Sequence, residues 1–281
     1  MIGQFIYGLP PFALLALVLT SSISTSILCL FFCRKFIRIA KKEEDTNIIE
    51  IYSDAFGIAF AVLLGLLIVN SWNSYDQTNN QVRQEAIYIS DLYKKSLLLH
   101  EDSRHQLRSA LKTYVKDLIN LEWPLLPQGE YSKKVNQDIF HIFDVLFYSK
   151  KTNAQEWFFA QQLNTLATQL NDERSSYLLN ATSSITPLMW VILIISHIVS
   201  FFLLALTVRA SFSLHLLLQV LYAFGTSLML LLIIILDRPF YQFGGEISPF
   251  PLQTLLFEWE EADSLPSKAA PTSNPAFTGP I

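Results

Sequence analysis

Four long apolar runs constrain this chain more than any other feature of its sequence. They occupy residues 11–32, 54–72, 188–208 and 214–236, and their interiors contain no Lys, Arg, Asp or Glu. A helix needs about 20 apolar residues to cross the hydrocarbon core of a bilayer, so each run is long enough. Only 16% of the residues are charged, against roughly 25% in soluble domains. We therefore predict an all-α integral membrane protein with four transmembrane helices.

A long segment between the second and third runs has the periodicity of amphipathic helices. Apolar residues recur there three and four positions apart, as in Val82, Ala86, Ile89 and Tyr93, which is typical of a helix with one buried face. The sequence predicts a helical extramembrane insertion between transmembrane helices 2 and 3, with helices at 77–100, 103–123, 131–148 and 155–180. The predicted division is 1–72 (helices 1 and 2), 73–187 (insertion), 188–236 (helices 3 and 4) and 237–281 (extramembrane tail, disordered from about 261).

The basic residues of the short loops predict the orientation in the membrane. The loop after the first span reads RKFIRIAKK, and the short loop between the last two spans carries Arg209. Short loops rich in Lys and Arg remain in the cytoplasm. We expect a multi-pass protein of the plasma (inner) membrane, with the N-terminus, the insertion and the C-terminus extracytoplasmic. The acidic run Glu43, Glu44 and Asp45 is interpreted as a solvated loop.

The second span runs into polar sequence without a helix breaker. In LLIVNSWNSYDQTNNQVRQEA no Pro or Gly separates the apolar half from the polar half, so one helix is expected to leave the membrane. Its apolar residues from Trp72 to Tyr93 repeat at about the coiled-coil spacing. They predict packing against the helix at 155–180, as a stalk. The alternative is a helical hairpin that supplies only rigidity. Trp72 is expected at the bilayer surface.

Small residues mark one side of the second span. Gly57, Ala61 and Gly65 recur every fourth residue, a spacing that lets two helices approach closely within lipid. The first span has a comparable stripe in Ser22, Ser26 and Cys29. These faces predict a tight bundle or oligomer contacts, and they are also candidates to line a pore.

Polar residues within or beside the spans form a second group of candidates. Asn70 and Ser71 lie where the second span meets water, where they would coordinate an ion in a channel or otherwise contact headgroups. His197 is the only ionisable residue deep in a span. Intramembrane ionisable residues are expensive and often functional, but a neutral histidine bonded to a neighbouring helix is the structural alternative.

Two further pairs are interpreted as structural. Glu85 and Arg174 lie on the two proposed stalk helices, where a buried pair would fix the helix register; the alternative is a ligand site. Asp237 and Arg238 follow the last span, and they are expected to pair with each other or to anchor the base of the stalk.

Several functional classes have no support in the sequence. It contains no Walker A loop, no G-x-S-x-G and no H-E-x-x-H motif, so we predict no enzyme activity, no cofactor and no metal site. The net charge of −4 argues against nucleic acid as a partner. Cys29 and Cys33 are four residues apart on one helix and are interpreted as small packing residues.

The longer stretches resemble the bestrophin-like domain proteins of bacteria. The resemblance is carried by LLGLLIVNSWNSYD, VRQEA, LYKKSLLL, LRSALKTYVKDLINLEWP, LNDERSSYLLNATSSITPLMW and LDRPFYQFGGEISPFPLQ, in this order. It covers roughly residues 54–253. It implies a distant relation to bestrophins, which are pentameric anion channels in which the second span lines the pore. In bestrophins the soluble region is cytoplasmic, whereas the charge bias of this chain places its insertion outside. No acidic cluster matches the bestrophin calcium clasp, and no bestrophin functional residue is transferred.

Two functional hypotheses follow from these features. The first is an oligomeric ion (anion) channel with transmembrane helix 2 at the pore, in which the partners are the lipid bilayer and further copies of the chain. The second is a non-transporting scaffold or sensor whose insertion binds an unknown protein partner. A channel predicts a ring of copies, whereas a scaffold predicts a closed bundle with an exposed apolar patch on the insertion.

Overall fold

The regular structure of this protein is helical throughout the part that can be described. The computed structural model describes residues 10–36, 43–151, 154–181, 185–207, 211–241 and 245–264. Within these ranges lie eight α-helices: α1 (Pro11–Phe36), α2 (Glu43–Lys95), α3 (Glu101–Asp117), α4 (Lys133–Tyr148), α5 (Ala154–Asn180), α6 (Pro187–Leu206), α7 (Phe212–Leu236) and α8 (Phe250–Ser264). A π-helical segment, Leu118–Glu122, extends α3, and short 3-10 turns lie at Ser96–Leu98 and Leu126–Gln128.

Four of these helices are long and apolar enough to cross a membrane. Within the described ranges they are α1, α2, α6 and α7, which confirms the predicted all-α class and the four runs; the extramembrane placement of the insertion stays a prediction. α2, α6 and α7 share a core that includes Phe60, Leu64, Leu67, Leu193 and Ile233. α1 packs on α6 and α7. The third run was predicted to end at 208, and residues 208–210 lie outside the described part.

Helix α2 is much longer than a membrane span. It contains 53 residues, about 80 Å at 1.5 Å per residue, whereas a bilayer core is about 30 Å thick. Its apolar part ends near Trp72, and the remainder projects beyond the membrane. The helix begins at Glu43, so the prediction of a solvated loop at Glu43, Glu44 and Asp45 is wrong. No Pro or Gly occurs between residues 43 and 56, so nothing local interrupts the helix.

The projecting part of α2 packs against the helix that returns to the membrane. Val82 and Ile89 are fully buried, and Ala86 and Tyr93 are nearly so. The core on this side includes Leu163, Ala167 and Leu170 of α5, together with residues of α3 and α4. At the membrane-facing end, Asn180 donates a hydrogen bond to Gln81 (3.3 Å). We call the part of α2 beyond Trp72, together with α5, the stalk.

A helix lies within the predicted extramembrane tail near the C-terminus. α8 extends to Ser264, and the predicted disorder from about 261 stays a prediction, because residues 265–281 lie outside the described part. Leu252, Leu255 and Trp259 bury one face of α8. The Trp259 ring stacks on Tyr93, with ring centroids 4.2 Å apart. Burial of this apolar face stabilises the helix where propensity alone would leave a short helix marginal.

Candidate functional site

From Phe60 to Leu92, one side of α2 is buried and the opposite side is uncovered. Phe60, Leu64, Leu67, Ser71, Thr78, Val82, Glu85 and Ile89 lie on the buried side. We define the outer face of α2 as the exposed residues on the other side: Ile58, Val62, Val69, Asn73, Asp76, Asn80 and Ile87. At 100° per residue these two sets lie on opposite sides of one helix. The outer face is apolar up to Val69 and mostly polar beyond it. Its residues nevertheless lie on the same side of α2 throughout.

The small residues of the second span do not pack against another helix of the same chain. Ala61 and Gly65 are exposed and Gly57 is half-buried. A Cβ atom placed on Gly57 or Gly65 would have no heavy atom within 4 Å. The prediction that this face closes a tight bundle is therefore wrong within one protomer. Gly57 and Ala61 instead line an open cavity of about 480 Å³. Its other walls include Ser200, Leu204 and Tyr222 from α6 and α7.

Asn70 and Ser71 point to different sides of α2. Asn70 is exposed, whereas Ser71 is fully buried. The Ser71 hydroxyl has no hydrogen-bond partner among the described residues. One turn further on, a polar cleft of about 520 Å³ lies along α2 and reaches α5. It is lined by Asn73, Asp76, Gln77, Asn80, Gln81, Gln84 and Glu173.

The first span packs through its own small polar residues, as predicted. Ser22 and Ser26 are buried. Ser22 Oγ lies 3.2 Å from His197 Nε2. Ser26 Oγ donates to the Gln219 carbonyl (3.3 Å). The Gln219 side chain in turn donates to the Phe201 carbonyl (3.0 Å).

His197 therefore has a hydrogen-bond partner on a neighbouring helix. Its ring also lies against two aromatic rings, with centroid distances of 4.3 Å to Phe201 and 5.8 Å to Phe60. A largely apolar surrounding with one hydroxyl partner is the arrangement expected of a neutral structural histidine. A functional role for His197 stays a prediction.

Arg174 pairs with a different acidic residue from the predicted Glu85. Arg174 Nε donates to Glu122 Oε1 (2.9 Å), and Arg174 Nη2 donates to Glu122 Oε2 (2.6 Å). Glu122 also accepts from the backbone N–H of Ser132 (2.9 Å). The π-helical segment that ends at Glu122 adds a residue to the helical turn, and it directs this carboxylate toward α5. This bidentate geometry is the strong form of an Arg–carboxylate interaction.

Glu85 lies in the same buried region without a cation of its own. Tyr114 donates to Glu85 Oε1. Glu85 Oε2 and the Tyr177 hydroxyl have no hydrogen-bond partner among the described residues. Burial raises the pKa of Glu85 to about 7, while the Tyr114 hydrogen bond and the Arg174 charge act against this rise. The pairing prediction failed because spacing on two helices cannot reveal a second acidic residue, Glu122, that reaches Arg174 from another element.

Asp237 links the end of the last span to the residues just before α6 by a hydrogen bond. Its Oδ1 accepts from the backbone N–H of Ile185 (3.0 Å). Ile185 immediately precedes the third transmembrane helix. Asp237 therefore joins the end of α7 to the residue that lies just before α6, and its role as an anchor of the stalk base stays a prediction. The pairing of Asp237 with Arg238 stays a prediction.

Sequence reasoning missed Glu122, Tyr114, Tyr177 and Gln219 as parts of these polar clusters. Tyr114 and Tyr177 are fully buried, and both occupy apolar-stripe positions where periodicity indicates only a core. Gln219 lies inside an apolar run, and its polar side chain there was the available signal. Among the described residues no group of three or more His, Cys, Asp or Glu is arranged to hold a metal ion.

Comparison with known proteins identifies similar chains. A family model described as "Bestrophin-like domain" matches residues 20–245. Comparison with curated protein sequences found no match.

Several solved structures share the fold at low sequence identity. A mutant of a bacterial bestrophin homologue from Klebsiella pneumoniae is 14% identical, with a TM-score of 0.63, covering 89% of this chain and 99% of its own. A second mutant of that homologue is 13% identical, with a TM-score of 0.63, over 87% and 98% of the two chains. A structure described as a membrane protein is 13% identical, with a TM-score of 0.65, over 89% and 97%.

Proposed function

Because this chain belongs to the bestrophin-like domain family, we propose that it is an oligomeric ion channel in which α2 lines the pore. The observation that carries this proposal is the outer face of α2. Among the described residues of one protomer, no other helix covers Ile58, Val62 and Val69, which are each more than half exposed. A ring of protomers that turned these faces inward would enclose a path from an apolar constriction to a polar vestibule. Apolar constrictions of this kind gate ion flow by dewetting.

The small-residue side of α2 supports the assembly of such a ring. Gly57, Ala61 and Gly65 lie on the flank of the outer face, where a neighbouring copy would pack. Small residues allow close helix contacts in lipid, where no hydrophobic effect drives association. A pore-lining helix needs such a contact on its flanks, because gaps between subunits would let lipid into the pore. The membrane is expected to be the plasma membrane, and the extracytoplasmic orientation of the stalk stays a prediction from loop charge.

The charges that line the polar cleft suggest which ions a pore would select. Its lining contains two carboxylates, Asp76 and Glu173, several amides and no Lys or Arg. A cleft lined by one sign of charge concentrates counter-ions, so this lining favours cations. The resemblance to anion channels suggests the opposite selectivity. Flux of a monovalent cation and of a halide should therefore be measured side by side.

The test uses cysteine substitution and a charged thiol reagent in liposomes. In a background with Cys29 and Cys33 replaced by Ala, Val62→Cys places a thiol on the outer face. Val191→Cys on α6 is the matched control, because Val191 is 52% exposed in the protomer against 56% for Val62. The reagent should block ion flux through Val62→Cys and leave Val191→Cys unaffected. Absence of flux from a folded oligomer, or equal responses of the two variants, would contradict the proposal.

A second candidate function has one specific observation in its favour. Phe147, Tyr148, Trp157 and Phe158 are exposed together, each by more than half. The Lys151 ammonium lies 5.0 Å from the Trp157 ring centroid. An exposed aromatic patch is typical of an interaction surface, and it fits a scaffold whose insertion binds a protein partner. Oligomer mass in detergent separates the two functions, because a monomer without ion flux would favour the scaffold. If the aromatic patch instead joins copies of this chain, Trp157→Ala should lower the oligomer mass.

A further inference from the structure

Three buried ionisable side chains meet behind the outer face of α2. Glu85 comes from α2, Glu122 from the π-helical segment after α3, and Arg174 from α5. Glu85 and Glu122 are fully buried and Arg174 is 2% exposed. Two carboxyl groups therefore lie near one guanidinium, which bonds Glu122 and only influences Glu85 through its charge. The group of three carries no net charge only when one of the carboxyl groups holds a proton.

The hydrogen bonds show which carboxyl group that is. Glu122 takes two of the Arg174 donors, Nε and Nη2, and also accepts the backbone N–H of Ser132. Arg174 Nη1 lies 3.5 Å from Asn136 Oδ1. Glu85 accepts from the Tyr114 hydroxyl and has the Tyr177 hydroxyl beside it, whereas the Arg174 bonds go to Glu122 and Asn136. An ionised carboxylate in a dry core requires several strong donors, and Glu85 has only neutral tyrosine hydroxyls.

The groups that face Glu85 come from every element packed against it. Tyr114 lies on α3, Glu122 follows α3, and Arg174 and Tyr177 lie on α5. Burial raises the pKa of both tyrosines well above the usual value, so both remain neutral. Burial opposes the charge on Arg174, but its bonds to Glu122 outweigh this effect and raise its pKa. Glu85 is therefore the group that changes charge near neutral pH, because burial places its pKa at about 7.

We propose that Glu85 is a proton-binding site whose occupancy sets how tightly α2 packs against α3 and α5. With the proton bound, the three side chains are neutral as a group and the stalk is closed. When the proton leaves, a second buried negative charge faces Glu122, and the contact between α2 and its neighbours loosens or admits water. The site is continuous with the membrane span, because Glu85 and Val69 lie on one unbroken helix, about 24 Å apart along its axis.

Proton binding at Glu85 does not depend on ion conduction. Only its effect on current rests on the proposed function. A shift of α2 away from α3 and α5 would reposition the outer face, since that face and Glu85 are on opposite sides of the same helix. The experiment therefore measures protonation and packing first and conduction separately.

Infrared difference spectroscopy on the whole purified protein measures the protonation. The carbonyl stretch of a protonated buried carboxyl group should disappear with a midpoint near pH 7, and Glu85→Gln should lack this change. Glu258→Gln is the matched control, because Glu258 lies on an exposed position of α8. A wild-type protein without a titrating buried carboxyl between pH 5 and pH 9 would overturn the inference.

Hydrogen exchange of the α2 backbone around Glu85 measures the packing. After correction for intrinsic exchange with the unfolded peptide, protection should fall by roughly tenfold at pH 8 relative to pH 6. This ratio follows from one pH unit above a midpoint near 7. Glu85→Gln should keep the same protection at both pH values. Titration at Glu85 without any change in protection would also overturn the proposal.

Conduction is then recorded against pH in liposomes. Loss of pH dependence in Glu85→Gln, with retained dependence in Glu258→Gln, supports coupling of the site to a pore. If the infrared and exchange results hold while no variant conducts ions, the proton site is supported and the channel function is refuted. If the wild-type protein conducts equally at pH 6 and pH 8, the coupling to the pore is refuted.

Discussion

Replacing Arg174 with Met tests how much of the stalk depends on one buried ion pair. Met has a similar length and no charge, so the substitution removes the guanidinium and leaves most of the volume. Arg174 and Glu122 are 3% and 0% exposed at their side chains. Solvent screening is therefore weak, and the full cost of a stranded charge should be measurable.

The magnitude follows from the contacts that are lost. Two charged hydrogen bonds to Glu122, at 2.9 and 2.6 Å, disappear, and only the Ser132 N–H remains on that carboxylate. Removing one partner of a buried ion pair costs about 3–5 kcal/mol. Replacing both partners by apolar residues is often nearly neutral. Glu122→Met added to Arg174→Met should therefore recover most of the loss.

The assay is reversible unfolding in mixed micelles of mild detergent and sodium dodecyl sulfate, followed by tryptophan fluorescence. Arg83→Met is the control, because Arg83 is an exposed residue on the same long helix as Glu85, and an exposed substitution should cost less than about 0.5 kcal/mol. Equal costs for Arg174→Met and Arg83→Met would refute the reasoning. So would a double variant that is no more stable than Arg174→Met alone.

Three further predictions concern other parts of the molecule. The native state holds the Glu85 proton more tightly than the unfolded chain, so its contribution to stability is complete below about pH 4.5 and is lost as pH rises to about 7. The loss amounts to roughly 3 kcal/mol, and unfolding at stepped pH should show this slope in the wild type and not in Glu85→Gln. Gly65→Leu should change protomer stability by less than about 1 kcal/mol, because the space around its Cβ is open. The same variant should lower oligomer mass or ion flux; a large loss of protomer stability would contradict the open face. Trp259→Ala should cost about 3–5 kcal/mol by removing a buried ring stacked on Tyr93, and proteolysis of α8 would report its release.

Local patterns were sufficient to predict most helices of this protein. Apolar runs of about 20 residues predicted the four spans. The thickness of a bilayer core fixes the length of a span, and a helix is the structure that satisfies all backbone hydrogen bonds within one such segment. The stripe at Val82, Ala86, Ile89 and Tyr93 predicted the buried face of the stalk. Helix α8 was not predicted, although Leu252, Leu255 and Trp259 have the three-four spacing of a buried helical face.

Only the tertiary structure determines which side chains of different helices contact one another. The sequence determined that Glu85 and Arg174 lie on two helices with buried faces, but it could not determine that Glu122 reaches Arg174 from a third element. Nor could it show that the space beside Gly57 and Gly65 is open within one protomer, because a stripe of small residues has the same spacing whether its partner is in the same chain or in another. Periodicity specifies the face of a helix, whereas the occupant of that face depends on crossing angles and chain returns that are set by packing of the whole molecule.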